Sequence, residues 1–176
     1  MTDNYINILV KNEWVFESNN IPVEKNKLFG LVGDKLRKTE GNLYSFINKY
    51  KLLTNKSDNV WFISIYEYLD QTNKKEGEFS WNDFEIESLE YADDEDEKDK
   101  IKRFWDNHLP FLFSVKNGYS YVAMVLDGVN KGKVVYGREP EYEDIEIVSN
   151  SFGDFQEMHV SYIENKGETT FLSDFI

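Results

Sequence analysis

The chain has 176 residues, a formal net charge of −13 and no cysteine. This length suffices for one substantial core, and 40% apolar and 16% aromatic residues exclude a wholly disordered chain. The lack of cysteine excludes disulfides, thiolate metal ligands and thiol nucleophiles. Because the negative charge repels phosphate backbones, direct binding of nucleic acid is disfavoured and a basic protein partner is favoured.

The N-terminal residues show neither a signal peptide nor a membrane anchor. The segment MTDNYINILVKNEW lacks a basic start, a continuous apolar stretch and a small-residue cleavage site. No apolar run approaches the roughly 18 residues of a membrane-spanning helix. We therefore expect a cytoplasmic protein without a membrane segment, in which residues 1–25 form an N-terminal extension. Alternating apolar residues predict a short amphipathic hairpin there, formed by Ile6, Ile8, Val10, Trp14 and Phe16.

Two helices and a buried strand are predicted next. Apolar residues at helical spacing predict a helix from Leu28 to Leu36, although two glycines weaken it. A second helix begins after Asn42 and extends its apolar stripe to Tyr50. The run from Val60 to Tyr66 is rich in β-branched and aromatic residues, which predicts a strand with Trp61 in the core.

Most of the negative charge lies between residues 76 and 99, where Lys98 is the only basic residue. We expect residues 71–99 to form an acidic excursion with at most local structure. A calcium-binding loop starting at Asp93 is excluded, because the glycine required at its sixth position is replaced by Lys98. No metal or other cofactor is predicted.

The region after residue 100 carries the clearest elements. Ile101, Trp105 and His108 have helical spacing, and Pro110 is expected to end that helix. Alternating residues then lead into the Asn117-Gly118 turn, which predicts a β-hairpin. Its second strand is apolar on both faces, as expected in the middle of a sheet.

A third strand is predicted over residues 133–136 and a fourth around Ile145 and Ile147. Ser151 and Asp154 have the spacing of a capping box that opens a helix. In that helix Phe152, Phe155, His159 and Tyr162 share one face. The sequence therefore predicts one α+β domain over residues 1–176, with a central antiparallel meander sheet flanked by helices.

Catalytic signals are weak. His108 is placed at a helix end and His159 on an apolar helix face, so both have structural explanations. Clustered carboxylates such as Glu143 and Glu146 offer acid-base chemistry, but they are too abundant to single out a pair. We therefore predict a binding protein and not an enzyme.

The acidic residues are the candidate partner-binding groups. The alternative is that they form a solvated run of charges with no role in binding. A second acidic segment follows Arg138, where Pro140 restricts the backbone. Tyr119 and Tyr136 are weighed as interface anchors against simple core packing. The predicted binding residues are Glu85, Glu87, Glu90, Asp93, Asp94, Asp96, Glu139, Glu141 and Asp144.

The stretch from Phe104 to Phe155 resembles the SUKH superfamily, which includes bacterial toxin-immunity proteins and a fungal regulator of cell-wall synthesis. The similar features begin with Trp105, the His108-Leu109-Pro110 segment, the Asn117-Gly118 turn and the apolar strand after it. They continue with the Gly132-Lys133-Val134-Val135 hairpin, the acidic loop, and the helix start with Ser151, Phe152 and Phe155. Residues 42–70 are similar to the family's preceding helix and Trp-bearing strand. The structural core positions of the pattern are Trp61, Trp105, Pro110, Gly118, Tyr121, Phe152 and Phe155.

This resemblance implies an immunity protein that binds and neutralises a cognate secreted toxin, frequently a nuclease. An acidic surface would complement such a toxin, whose own surface must attract phosphate. The alternative is a regulatory or scaffolding module that binds an endogenous protein. The sequence does not predict the oligomeric state.

Overall fold

Seven strands form one antiparallel sheet in a computed structural model that describes residues 2–70, 79–164 and 170–176. Each strand pairs with the next along the chain, so the sheet is a meander within a single α+β domain, as predicted. The strands are β1 (Val15–Ser18), β2 (Tyr50–Thr54), β3 (Val60–Phe62), β4 (His108–Ser114), β5 (Ser120–Val125), β6 (Val134–Arg138) and β7 (Glu141–Ser149).

Helices cover both faces of this sheet. They are α1 (Thr2–Lys11), α2 (Gly30–Lys38), α3 (Leu43–Ile47), α4 (Ile65–Leu69), α5 (Asp83–Tyr91), α6 (Glu95–Asp106) and α7 (Phe152–Ile163), with 3-10 turns at Lys25–Lys27 and Phe171–Phe175. No helix in the described part of the chain is long and apolar enough to cross a membrane.

Aromatic side chains build a separate layer on each face. On the first face, Phe111 packs against Phe152 and Phe155 of α7. On the second face, Phe113 and Tyr121 lie directly opposite each other in β4 and β5, so their side chains project to the same side. Phe84 of α5 contacts both rings, which holds α5 against this face.

The hairpin predicted near the N-terminus is wrong, because its first half is α1. Tyr5, Ile6 and Leu9 of this helix are buried, whereas Val10 is 44% exposed. The burial follows helical spacing and not the alternation of isoleucines on which the hairpin was based. Only the second half of the segment is extended, as edge strand β1, and α1 belongs to the core.

The middle elements are shorter than the sequence indicates. The helix after Asn42 ends at Ile47, and Tyr50 instead begins β2, a strand that was not predicted from the sequence. Strand β3 ends at Phe62 because Ser64 starts α4 with a capping box. Trp61 is only partly buried and packs against the edge of the core.

The acidic segment contains more structure than expected. Residues 71–78 lie outside the described residues, but 79–99 contain α5 and the start of α6, and Trp81 and Phe84 are buried. Burial of these two aromatic rings explains why the segment is ordered in spite of its charge.

Pro110 does not end α6. The helix already ends at Asp106, and His108 is the first residue of β4 instead of the last turn of a helix. Pro110 lies inside β4, where the register to β5 shifts, and proline is tolerated in sheets at such irregularities.

The hairpin from β4 to β5, the strands β6 and β7, and α7 agree with the sequence. Gly118 lies exposed in the β4–β5 turn with φ of 94°, a conformation that favours glycine. Every residue of β5 is buried. Ser151 caps α7 by accepting a hydrogen bond from the Asp154 amide. The remaining predicted core residues are buried: Trp105, Pro110, Tyr121, Phe152 and Phe155.

Candidate protein-interaction site

A groove of about 910 Å³ lies between α5, the start of α6 and the turn that joins β6 to β7. Among the described residues, every lining side chain that carries a formal charge at neutral pH is a carboxylate. We call this surface the acidic groove. Its lining residues are Glu87, Ser88, Tyr91, Ala92, Glu97, Ile101, Glu139, Pro140, Glu141, Tyr142, Glu143 and Asp144.

Tyr142 fixes the β7 wall of the groove against α5. Its ring stacks on Phe84 with centroids 4.5 Å apart, and its hydroxyl donates to Glu87 Oε2 at 3.0 Å. Burial, and then the hydrogen bond to Glu87, raise the pKa of Tyr142. The Tyr121 hydroxyl donates to the Tyr142 carbonyl at 2.6 Å. The two walls are therefore joined by a buried aromatic layer.

The start of α6 is ordered by its own acidic residues. Asp94 accepts a hydrogen bond from the Glu97 amide at 2.8 Å, which caps the helix. Glu97 in turn accepts from the Asp93 amide at 2.6 Å. Further along α6, Trp105 Nε1 donates to Glu143 Oε1 at 2.6 Å. These contacts hold α6 at a defined position beside β7.

Behind the groove a buried lysine faces acidic neighbours. Lys35 of α2 donates to the Trp105 carbonyl at 2.6 Å, and its Nζ lies 3.8 Å from Asp106 Oδ1. Burial lowers the pKa of Lys35, against the opposing charges of Glu85 and Asp106. Burial also raises the pKa of Glu85, which Lys35 partly offsets. Lys35 is thus engaged behind the groove and does not line it.

The structure brings two predicted acidic segments together. Glu87 from α5 lines the same groove as Glu139, Glu141 and Asp144 from the β6–β7 region. Glu85 lies behind the groove instead. The other predicted residues do not line it but lie exposed at the end of α5 and the start of α6: Glu90, Asp93, Asp94 and Asp96.

Several lining residues were not predicted from the sequence. Glu97 was counted only as part of the charge run, Glu143 only as a possible acid, and Tyr91 was not considered. Tyr91 is 80% exposed at the end of α5. Its position four residues after Glu87 places both side chains on one helix face, so an amphipathic pattern could have identified them. An exposed aromatic ring beside carboxylates is typical of interface anchors.

The other candidate groups have structural surroundings. His159 is fully buried, and its ring nitrogens lie 2.6 Å from the Tyr5 hydroxyl and 3.2 Å from the Phe175 carbonyl. His108 Nδ1 is 2.7 Å from the Phe104 carbonyl. Within residues 2–70, 79–164 and 170–176, no group of three or more His, Asp or Glu side chains is placed to hold a metal ion.

The fold and the groove define the chain as an α+β domain with an acidic, partly aromatic surface groove. No protein-family model matches the chain, and no curated protein or solved structure is significantly similar to it. The resemblance to the SUKH superfamily therefore stays a prediction based on the residues quoted above.

Proposed function

We propose that this protein binds a basic protein through the acidic groove and has no catalytic activity of its own. The observation that carries the proposal is that the consecutive helices α5 and α6 meet the β6–β7 turn, which is distant from them in sequence, around one groove. Among the described residues, the charged groups of this groove are all carboxylates. Such a surface increases the association rate of a positively charged partner by electrostatic steering.

The partner that we propose is a cognate toxin, which the protein neutralises by sequestration in the cytoplasm. The SUKH resemblance supports the toxin, and an enzyme that acts on nucleic acid would have the basic surface that the groove complements. A chain without cysteine suits a reducing compartment. The exposed ring of Tyr91 supplies apolar area among the charged groups that line the groove, and partner-binding surfaces combine apolar and polar area in this way.

Removal of groove charge tests the proposal. The double variant Glu87→Gln/Glu97→Gln keeps one acceptor oxygen at each position but removes two charges from the groove. The matched control, Glu17→Gln/Glu157→Gln, removes the same charge from residues that do not line it. With a purified toxin encoded beside this protein, we expect the groove variant to weaken binding about five- to tenfold, mainly through slower association. The control is expected to change affinity less than about twofold.

Two measurements complete the test. Surface plasmon resonance at about 50 and 300 mM salt gives the association rate, which should fall with salt for the native protein. Co-expression with the toxin shows whether the native protein protects growth and whether the groove variant protects less. The proposal is wrong if no complex forms at low salt, or if both double variants weaken the complex equally.

A further inference from the structure

A second cavity, of about 450 Å³, lies on the other side of the turn between β6 and β7. We call it the Ser120 pocket. It shares Glu139, Pro140, Glu141 and Asp144 with the acidic groove. Of its other lining residues, Ser120, Tyr136 and Arg138 project from the first face of the sheet. The residues that matter for its chemistry are Ser120, Tyr136, Arg138, Glu139, Glu141, Asp144 and Asp174.

Ser120 lies at the floor of this pocket with an unused hydroxyl. In the sheet register Ser120 lies opposite Ser114 and Arg138, so all three side chains project from the same face. The Ser120 residue is 4% exposed. Its Oγ has no hydrogen-bond partner among the described residues. A buried hydroxyl that lacks a protein partner is unfavourable, so Ser120 Oγ is available to hydrogen-bond a group that enters the pocket.

Asp174 forms a preorganised wall of the same pocket. Its Oδ1 accepts from Asn117 Nδ2 at 3.0 Å, and its Oδ2 accepts from the Tyr136 hydroxyl at 3.1 Å. Burial, and then the charge of Asp174, raise the pKa of Tyr136 to about 12. The phenol therefore stays a hydrogen-bond donor at neutral pH, and each carboxylate oxygen retains a free lone pair.

The charge around the pocket favours an organic cation. Among the described residues, four carboxylates line it, from Glu139, Glu141, Asp144 and Asp174, and Arg138 is the one basic side chain. Since these carboxylates do not converge closely enough to hold a metal ion, they suit a wider cation with several donors. A planar guanidinium has five donors and also packs against aromatic rings, which an ammonium does less well.

We propose that the Ser120 pocket holds an arginine side chain of the basic partner, with the guanidinium between Asp174 and the Glu141–Asp144 rim and a hydrogen bond to Ser120 Oγ. This inference rests on the proposed function, because it names the group that anchors the partner. The acidic groove then steers the partner, while the adjacent pocket selects for arginine at one position of its surface.

N-acetyl-arginine amide and N-acetyl-lysine amide are suitable probes of the pocket. Titration followed by the amide resonances of Asn117, Ser120 and Asp174 should give a saturable shift with the arginine compound. The lysine compound should bind about fivefold more weakly, because it lacks the planar fork of donors. Equal binding of the two compounds, or no saturable shift, would overturn the assignment.

Two variants test the contacts. Asp174→Asn keeps the shape of the wall but removes its charge, and should weaken arginine binding about fivefold. Ser120→Ala removes the unpartnered hydroxyl and should weaken it about threefold. Unchanged thermal unfolding temperatures would show that both variants fold. The control Glu157→Gln should leave the titration unchanged, and an equal loss in all three variants would contradict the assignment.

The complex with the toxin separates this inference from the proposed function. If Glu87→Gln/Glu97→Gln weakens the complex while Asp174→Asn and Ser120→Ala leave it unchanged, the pocket is not the anchor, although the groove still binds the partner. If neither pair of substitutions changes the affinity, both assignments are wrong. Loss of affinity in both sets supports both, and replacement of one arginine of the toxin should then cancel the effect of Asp174→Asn.

Discussion

Gly137 is a residue at which a single methyl group should disturb the core. It lies opposite Tyr121 in the sheet, and a Cβ atom at Gly137 would lie 2.6 Å from the Tyr121 ring. The ring cannot move away easily, because it is fully buried and its hydroxyl donates to the Tyr142 carbonyl. We expect Gly137→Ala to lower the free energy of unfolding by about 1–3 kcal/mol.

Urea unfolding followed by tryptophan fluorescence measures this loss. Gly153→Ala in the first turn of α7 is the matched control, since its Cβ would meet nothing closer than Ser151 Oγ at 3.6 Å. That substitution should be neutral or stabilise the protein by up to about 1 kcal/mol, because alanine favours helices. A Gly137→Ala protein as stable as the native one would show that the Tyr121 ring is not held in place.

His159 should make the stability of the fold depend on pH. Burial lowers its pKa from 6.5 to about 4 in the folded protein, and the neutral ring accepts a hydrogen bond from Tyr5 while donating to Phe175. In the unfolded chain the ring takes up a proton near pH 6.5. As pH falls from about 7 to 4, the unfolded state binds more protons, and the free energy of unfolding decreases by up to about 3 kcal/mol.

The variant His159→Gln isolates this contribution, because it removes the titrating ring and leaves every carboxylate in place. Urea unfolding at several pH values between about 7 and 4 should give a steeper loss of stability for the native protein than for the variant. The comparison is between the slopes of the free energy of unfolding against pH, so a lower overall stability of the variant does not affect it. Parallel pH profiles for the two proteins would contradict the assigned shift.

Individual core residues could be predicted where the neighbouring residues in the sequence were also apolar. Phe152 and Phe155 follow a capping serine at helical spacing, and Tyr121 lies in a strand that is apolar on both faces. Trp61 was misjudged, because its burial depends on Phe79 and Phe113 from other parts of the chain. The unpartnered hydroxyl of Ser120 could not be predicted, since it results from the placement of neighbouring strands.

Asp94 should affect the stability of α6 and not partner binding alone. It was predicted as a binding residue, but its carboxylate caps the helix through the Glu97 amide. Asp94→Ala should lower the free energy of unfolding by about 1 kcal/mol, whereas Asp94→Asn, which can still cap, should cost a few tenths. Urea unfolding of both variants provides the comparison, and equal losses would mean that charge and not capping determines the effect.

Elements defined by local chemistry were predicted well, and those defined by packing were not. Asn117-Gly118 determines the β4–β5 turn locally, because few other residues adopt its backbone conformation. Pro110 was misassigned as the end of a helix, since the register irregularity that accommodates it in β4 depends on pairing with β5. The helices of the acidic segment were missed because their stability comes from burial of Trp81 and Phe84 against distant residues.

For the whole molecule, the charge count predicted an acidic interaction surface but not its shape. Glu87 and Glu141 are far apart in sequence, and only the packing of α5 against β7 places them around one groove. Contact between Phe84 and Tyr142 produces this arrangement. The two residues belong to segments that are distant in sequence, and no spacing pattern relates them. Their contact could therefore be identified only from the three-dimensional structure.

The N-terminal helix should be required for folding of the whole domain, contrary to its prediction as an extension. Leu9 is fully buried in the core, and α1 also places Tyr5 against His159 of α7. Leu9→Ala should lower the free energy of unfolding by about 2–5 kcal/mol. The adjacent Val10 is 44% exposed, so Val10→Ala should cost less than about 1 kcal/mol.

Chemical unfolding of both variants and of a chain that lacks residues 1–12 tests this requirement. The shortened chain should lose its cooperative transition, because removal of α1 exposes Phe46 and Phe62, which pack around Tyr5. Native-like unfolding of the shortened chain, or equal losses from Leu9→Ala and Val10→Ala, would mean that the remaining core is stable without this helix. Loss of the cooperative transition in the shortened chain would show that α1 is as necessary to the sheet as α7, which packs beside it on the same face.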